Sequence, residues 1–414
     1  MSPRTWRSVP RNVWYLGATS LLTDLSSEMV ASVLPLYLVV HLGLSPLAFG
    51  TLDGLYNGFG AATRLAGGVA VDRWQRHKQL AAVGYALSGL CRLGLLVVGR
   101  WWVGLAVVVA LDRIGKGIRT VPRDALIARS TPRSQLGYAF GAHRALDALG
   151  AALGPFIAFG LLALVPRGFD VVFVASFAAA IVGFAVLVLF VENVPSSGDA
   201  PDSDTQSPVS LLEPLRLRDF RIAVAAAVAL ALPTISDAFI YVVLLERLQF
   251  TVGLFPLLYV GTSVSFLVLA VPLGLAADRL GRLRVFVLGY CALLAIYVLL
   301  AGGVKGPQTV LLAVVLLGAY YAATDGVVVA FATGVLPEAV RGTGLALLLT
   351  STSVARRVAS VGFGWVWVAA GPQRAVMSFA VALGLALMGS VAALARVSAP
   401  ASSGTRPPAG GATR

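Results

Sequence analysis

Long apolar runs separated by short charged clusters dominate this sequence of 414 residues. A helix needs about 20 apolar residues to cross the hydrocarbon core of a bilayer. Because 58% of the residues are hydrophobic and only 12% are charged, a soluble enzyme, a disordered chain and a nucleic-acid-binding protein are excluded. We predict an all-α membrane protein with twelve transmembrane helices, at about 12–40, 47–71, 79–98, 102–124, 136–163, 170–192, 219–246, 252–277, 285–302, 308–336, 342–369 and 374–396.

Basic residues are unevenly distributed between the two sides of this predicted topology. Segments on the side of the two termini hold 20 Lys and Arg residues, the opposite side holds five, and seven fall within spans. The five are Arg100, Arg167, Arg247, Lys305 and Arg374. Cytoplasmic loops of membrane proteins carry the excess of basic residues. We therefore expect a multi-pass protein of the inner (cytoplasmic) membrane with both termini in the cytoplasm, and the net charge of +13 then requires no nucleic-acid partner.

The predicted helices fall into two halves of six. The long internal loop is rich in Pro, Ser and Asp and cannot bury a core of its own. We expect an N-terminal six-helix bundle over 1–192, a cytoplasmic linker over 193–218, a C-terminal bundle over 219–396 and a disordered cytoplasmic tail over 397–414.

The two halves also repeat each other. Gly68-Val-Ala-Val-Asp72-Arg73 follows the second predicted span, and Gly274-Leu-Ala-Ala-Asp278-Arg279 follows the eighth. Pro132-Arg-Ser-Gln-Leu-Gly137 and Pro337-Glu-Ala-Val-Arg-Gly342 open the fifth and the eleventh spans at nearly the same offset. A duplicated six-helix unit is typical of transporters whose binding site lies between the halves.

These motifs resemble those of the major facilitator superfamily. The segment from Gly274 to Arg284 matches its signature G-x-x-x-D-[RK]-x-G-[RK]-x-[RK] in full, and the first copy has Gln75 at the inner glycine. The resemblance implies two pseudo-symmetric six-helix bundles that work by alternating access. It assigns gating roles to Gly68, Asp72, Arg73, Arg76, Gly274, Asp278, Arg279 and Arg282.

Two further motifs resemble elements of proton-coupled branches of the same superfamily. The stretch from Arg113 to Gly117 is similar to an R-x-x-x-G element of the fourth span. Gly150, Gly154 and Pro155 form a G-x-x-x-G-P sequence, which is similar to the antiporter motif of the fifth span. The resemblance therefore implies a drug:proton antiporter-like branch.

Charged residues within the first and fourth spans are the candidates for proton coupling. Asp24 and Glu28 are four residues apart and lie on one helix face. Mutual repulsion and burial both disfavour the charged form of a carboxyl group, so either one could bind a proton. We expect Arg113 to pair with one of them and tune its proton affinity, the alternative being a static salt bridge with an acid such as Asp53. Asp112 is either a further proton site or a packing partner.

His143 and Asp147 form another pair with a spacing of four residues, for which we expect structural hydrogen bonding within the N-terminal half, the alternative being a proton relay. Trp101, Trp102, Trp365 and Trp367 lie near span ends and are expected to anchor the protein at the membrane interfaces. The candidates for substrate contacts are aromatic and charged residues of several spans. They are Tyr37, Tyr56, Asp237, Tyr241, Tyr320, Asp325 and Arg356, the last of which could instead pair with Asp325.

No nucleophile motif, nucleotide-binding loop or metal-ligand spacing occurs in the sequence. We therefore predict a secondary transporter and not an enzyme, with no catalytic residue, metal or cofactor. Its expected partners are protons, a small-molecule substrate and the lipid bilayer, and we expect a monomer. The leading function is proton-coupled efflux of a small amphipathic compound. The alternatives are a symporter or uniporter that imports an organic anion or other metabolite, and a membrane sensor or scaffold.

Overall fold

The computed structural model describes residues 10–58, 76–132, 135–193, 213–248, 252–302 and 306–398. Within these ranges the chain is built from helices and contains no β-strand. The α-helices are α1 (Arg11–Leu36), α2 (Pro46–Gly58), α3 (His77–Val98), α4 (Trp102–Ser130), α5 (Leu136–Leu164), α6 (Phe169–Phe190), α7 (Arg218–Ala231), α8 (Asp237–Leu248), α9 (Phe255–Leu280), α10 (Arg282–Ala301), α11 (Pro307–Val335), α12 (Glu338–Ala370) and α13 (Pro372–Ser398). The predicted all-α architecture is confirmed.

Within the residues that the structure describes, twelve helical segments result when α7 and α8 are counted as the two parts of one. A π-helical turn, Tyr37–His41, extends α1. In the described ranges, eight helices are long and apolar enough to cross a membrane: α1 with its π-turn, α3, α5, α6, α9, α10, α11 and α13. The other five are short or carry charged residues in their middle turns. The second half of the predicted helix 47–71 lies outside the described residues.

The seventh segment was predicted as one helix over 219–246, and this prediction is wrong. The structure breaks it between Ala231 and Asp237. Pro233 has no N–H with which to continue the helical hydrogen bonds. The Tyr297 hydroxyl of α10 spans the break, because it accepts a hydrogen bond from the Ile235 N–H (2.6 Å) and donates one to the Pro233 carbonyl (3.1 Å). The free backbone groups are thus satisfied by a neighbouring helix.

Several helix ends meet on one side of the helix bundle. Asn12, at the start of α1, donates a hydrogen bond to Ser130 at the end of α4 (2.7 Å). Lys78, at the start of α3, donates one to the carbonyl of Val188 near the end of α6 (2.8 Å). We call this side of the bundle the terminal side, because α1 begins there and, by alternation of the helices, α13 ends there.

Most helix packing occurs within each half of the chain. In the first half α1 packs on α5 and α6, and α3 packs on α4; in the second half α11 packs on α9 and α10. Gly150 and Gly154 lie where α5 crosses α1, and a Cβ at Gly150 would overlap the Leu21 carbonyl. The outward faces are apolar, and side chains such as Leu189 and Leu267 are exposed. Such faces suit lipid contact rather than water.

Candidate functional site

A cavity of about 460 Å³ lies between the two halves. Its volume is in the range of small-molecule sites. The first half contributes residues of α1, α2 and α4 to its wall, and the second half contributes the break after α7 and residues of α8, α9, α11 and α12. The polar groups of the wall are Glu28, Asp53, Tyr56, Arg113, Thr234, Ser236, Asp237, Tyr259, Tyr321, Ser353, Arg356 and Ser360.

The helices α2 and α12 hold the two halves together on the side opposite the terminal side. A Cβ at Gly50 would overlap the Ser360 carbonyl, and a Cβ at Gly364 would overlap the carbonyl of Pro46. The Ser360 hydroxyl also donates a hydrogen bond to Asp53, which joins the two helices at the cavity wall. These backbone-to-backbone contacts are possible only because glycine lacks a side chain.

Four aromatic rings fill the space beside this contact. Phe49 of α2 and Phe239 of α8 meet at 4.7 Å between ring centroids, and Phe239 and Phe363 of α12 meet at 4.8 Å. Trp367 packs on Phe363 at 5.7 Å. We call Phe49, Phe239, Phe363 and Trp367 the aromatic plug. The expectation of an interface anchor is therefore wrong for Trp367, which is 8% exposed because it packs on Phe239 and Phe363, whereas Trp365 is 62% exposed.

A buried charge cluster lies next to the cavity in the first half. Asp112 Oδ1 forms an ion pair with Arg92 Nη1 at 2.9 Å, and Asp112 Oδ2 accepts a hydrogen bond from Arg113 Nε at 3.0 Å. Arg92 also donates to Ser27 of α1 at 3.0 Å. The Arg113 guanidinium stacks on the Tyr56 ring at 3.9 Å from its centroid. Arg113 thus pairs with Asp112, and its expected pairing with a carboxylate of α1 is wrong, because Asp112 is the buried counter-ion that it shares with Arg92.

Glu28 lies on the cavity wall. Among the described residues, none forms a hydrogen bond or an ion pair with its carboxyl group. The nearby cations Lys116, Arg113 and Arg92 act on it only through space. An unpaired carboxyl group in this position is available to a proton or to a cationic ligand.

Asp24 has a different environment, although it shares a helix face with Glu28. It pairs with Arg119 of α4 at 3.4 Å and does not line the cavity. Asp147 faces Asp24 and Arg123 instead of His143, so its contacts lie within the first half and the two residues do not form a His–carboxylate pair. Both residues lie on α5, but the Asp147 side chain reaches across to α1 and α4.

The second half contributes an aspartate, an arginine and a tyrosine to the cavity wall. Asp237 is the first residue of α8, and it accepts a hydrogen bond from the Tyr321 hydroxyl at 2.6 Å. Arg356 lies on the same wall with Ser353 and Ser360, all from α12. Sequence reasoning missed these two serines, although a polar stripe at spacings of three and four residues in an apolar helix is a usable signal.

Tyr56, Asp237 and Arg356 line the cavity, as predicted for substrate contacts. Three predicted tyrosines do not line it. Tyr37 packs on Phe173 and donates to the Leu95 carbonyl, Tyr241 bonds Thr262 at 2.7 Å, and Tyr320 packs on Tyr290. Each of these rings faces its own half. In place of Tyr320 the next residue, Tyr321, reaches the cavity, because one helical step rotates a side chain by about 100°.

The predicted gating residues are only partly covered by the structure. Gly68, Asp72 and Arg73 lie outside the described residues. Asp278, Arg282 and the substrate candidate Asp325 lie on α9, α10 and α11, and the structure does not describe their side chains. Arg76 and Arg279 are exposed, as is Gly274. The gating assignment therefore stays a prediction.

Comparisons with known proteins agree with this architecture. The model of the Major Facilitator Superfamily matches residues 16–259, which is more than half of the chain. An uncharacterised MFS-type transporter of Methanocaldococcus jannaschii is 28% identical over 372 residues, or 87% of this chain and 89% of that protein.

Solved transporter structures share the fold at low sequence identity. A nucleoside transporter, NupG (D323A mutant), superposes with a TM-score of 0.79 at 14% identity, covering 92% of this chain and 99% of that one. A POT family transporter in complex with 5-aminolevulinic acid gives a TM-score of 0.74 at 15% identity, covering 94% and 97%. With twelve helical segments in the part of the chain that the structure describes, a cavity between two halves and a family match over more than half of the chain, the chain belongs to the major facilitator superfamily.

Proposed function

We propose that this protein is a proton-coupled antiporter that exports a small amphipathic compound by alternating access. The cavity lies between the two halves and is closed by α2, α12 and the aromatic plug on one side. The terminal side is the cytoplasmic side in this proposal, because most of the Lys and Arg residues outside the spans lie there. The conformation would then receive its substrate from the cytoplasm.

The observation that carries the proposal is the carboxyl group of Glu28 on the cavity wall. Charged groups within a membrane protein are costly unless they meet a partner. In an empty cavity Glu28 avoids this cost by binding a proton, and in a loaded cavity it avoids it by pairing with a cationic substrate. A proton and a substrate that compete for one carboxyl group occupy it alternately. Antiport requires this alternation, because binding of one then releases the other.

The remaining charges of the wall support a substrate with a cationic group. Glu28, Asp53 and Asp237 supply three carboxyl groups against two guanidinium groups, Arg113 and Arg356. Arg113 is already paired with Asp112. The tyrosine rings of the wall supply apolar and cation–π surface for the body of such a compound.

A second candidate function is the import of an organic anion or another metabolite by symport. Arg356 on the wall, flanked by Ser353, is the observation that favours it. The fold neighbours include transporters named for nucleosides and for peptides. In this case Arg356 would bind the substrate, and Glu28 would bind only the proton.

Transport in proteoliposomes separates the two candidates. We would load the liposomes with a pH-sensitive dye, impose a proton gradient and test lipophilic cations, zwitterions and organic anions. Glu28→Gln is expected to abolish proton flux driven by a cationic substrate, because the amide cannot release a proton. The matched control is Glu192→Gln, which changes an exposed carboxylate beyond the end of α6. If an anion moves in the same direction as protons and this flux is lost in Arg356→Gln, the result favours symport. Proton flux that survives in Glu28→Gln would contradict the antiport mechanism.

A further inference from the structure

Several polar groups of the cavity wall already have a partner within the protein. Asp53 accepts a hydrogen bond from Ser360, and Asp237 accepts one from Tyr321. Arg113 is paired within the buried charge cluster. A ligand gains little from such groups, because each new hydrogen bond would replace an existing one. The groups of the wall that have no partner therefore indicate what the cavity binds.

Two tyrosines of the wall, one from each half, have hydroxyl groups without a partner. Tyr56 lies on α2 of the first half, and Tyr259 lies on α9 of the second half. Among the described residues, none forms a hydrogen bond with either hydroxyl group. Neither oxygen is fully enclosed by protein, and both residues are half-buried. A ligand in the cavity can therefore reach two phenol groups in addition to the carboxyl group of Glu28.

Both rings are held in place by their own half of the protein. The Arg113 guanidinium covers one face of Tyr56 at 3.9 Å from the ring centroid. Tyr259 packs edge-to-face on Tyr241 at 4.7 Å between centroids, and the Tyr241 hydroxyl is itself fixed by a hydrogen bond to Thr262 at 2.7 Å. The two phenols are thus ordered before a ligand arrives, which lowers the entropic cost of binding to them.

The chemistry of these free groups defines the ligand that would satisfy them. An ionised carboxyl group only accepts hydrogen bonds, so Glu28 requires a donor, such as a protonated amine. A phenol hydroxyl has one hydrogen to donate, so Tyr56 and Tyr259 each have a hydrogen bond to offer to an acceptor. The cation over the Tyr56 ring draws electron density from the phenol and strengthens its hydroxyl group as a donor.

We propose that Tyr56 and Tyr259 donate hydrogen bonds to acceptor oxygens of the substrate, and that they select amines bearing an ether, hydroxyl or carbonyl oxygen over purely hydrocarbon amines. The inference rests on the proposed function, in which Glu28 binds the cationic group, and it narrows the substrate class. Because the two phenols belong to opposite halves, a substrate that reaches both contacts both halves at once.

Calorimetric titration of the purified full-length protein with two matched amines tests this selection. N-benzyl-2-methoxyethylamine and N-benzylbutylamine are both cations at neutral pH and differ only by an ether oxygen in place of a methylene group. Tyr56→Phe and Tyr259→Phe should each weaken binding of the ether amine about 2–10-fold, the effect of one lost hydrogen bond. Binding of the butyl amine should not change. Tyr15→Phe, which removes a hydroxyl group outside the cavity, is the control and should change neither affinity.

Selective loss of the ether amine is the distinguishing result, because a purely structural role of the tyrosines would weaken both amines alike. Equal loss of both amines, loss of neither, or no binding of the ether amine to the wild type would overturn the proposal. An unchanged melting temperature shows that a variant is folded, and each phenol is tested separately, so one folded variant suffices.

Glu28→Gln separates this inference from the proposed antiport. It should weaken both amines by the same factor, because both carry the same cationic group. If it weakens neither while the tyrosine variants lose only the ether amine, the antiport mechanism fails and the oxygen-binding role of the tyrosines stands. If it weakens both while the tyrosine variants lose neither, the antiport proposal stands and the oxygen-binding role fails.

Discussion

At the scale of single residues, Asp112 is the group on which the charge balance of the first half depends. It binds two guanidinium groups, from Arg92 and Arg113, and its side chain is 6% exposed. Removing one member of a buried ion pair leaves the other charges buried without compensation. The cluster also fixes Arg113, and with it Tyr56, at the wall of the cavity.

We expect Asp112→Asn to lower the free energy of unfolding by about 3–5 kcal/mol, because two buried guanidinium groups lose their counter-ion. Chemical unfolding of the detergent-solubilised protein measures the change. Glu192→Gln, an exposed carboxylate, is the control and should stay within about 0.5 kcal/mol of the wild type. An Asp112→Asn protein as stable as the wild type would show that the cluster contributes little to stability.

The residue scale is also where sequence reasoning reached its limit. The sequence identified Asp24, Glu28 and Arg113 as buried charges, because hydropathy alone reveals a charge within an apolar run. It could not pair them. Residues adjacent in sequence point in different directions from a helix, so the rule did not favour a pair of Asp112 with Arg113. In the structure the long Arg113 side chain turns back and reaches the adjacent carboxylate. Only the packing of α3 on α4 brings in Arg92 as the third member.

At the scale of elements, the break in the seventh segment is held by one side chain from another helix. The Tyr297 hydroxyl is both donor and acceptor for backbone groups on the two sides of the break. The sequence contains Pro233, but a single proline in a long apolar run is compatible with a kinked helix as well as with two helices. The choice between them depends on Tyr297, 64 residues away.

Tyr297→Phe is expected to lower the free energy of unfolding by about 1–3 kcal/mol, because the Ile235 N–H is left buried without an acceptor. The same unfolding measurement applies. Tyr15→Phe is a matched control, since the described residues form no hydrogen bond with the Tyr15 hydroxyl. Equal stability of the two variants would mean that the backbone at the break finds other partners.

At the scale of the whole molecule, the structure represents, under the proposed alternating-access mechanism, the state that is closed on the side of the aromatic plug. Much of the helical architecture was predictable because eight helices of the described ranges are local hydropathy signals. The cavity was only partly predictable, because its wall depends on how the halves are rotated against each other. Tyr320 and Tyr321 are equivalent in the sequence, and the orientation of α11 alone decides which of them faces the other half.

Gly50→Leu should shift the equilibrium towards the state that is open on the side of the aromatic plug, since its side chain would overlap the Ser360 backbone. Electron spin resonance distances between labels at Pro166→Cys and Arg374→Cys, in a background without Cys91 and Cys291, should lengthen. Gly160→Leu is the matched control, because a Cβ at Gly160 meets no atom within 4 Å. An unchanged distance distribution in Gly50→Leu would contradict the assignment of this contact as the closing one.

The position of Asp237 links ligand binding at the cavity wall with opening of the side that the aromatic plug closes. This residue belongs to the cavity wall, and Phe239 of the aromatic plug follows it by two positions in the same short helix. A ligand that binds Asp237 therefore acts directly on α8, the helix that must move before the side closed by the aromatic plug can open. Substitutions between residues 234 and 238 should consequently change KM and turnover number together. A compound that binds in the cavity without contacting Asp237 should act as an inhibitor instead of a substrate.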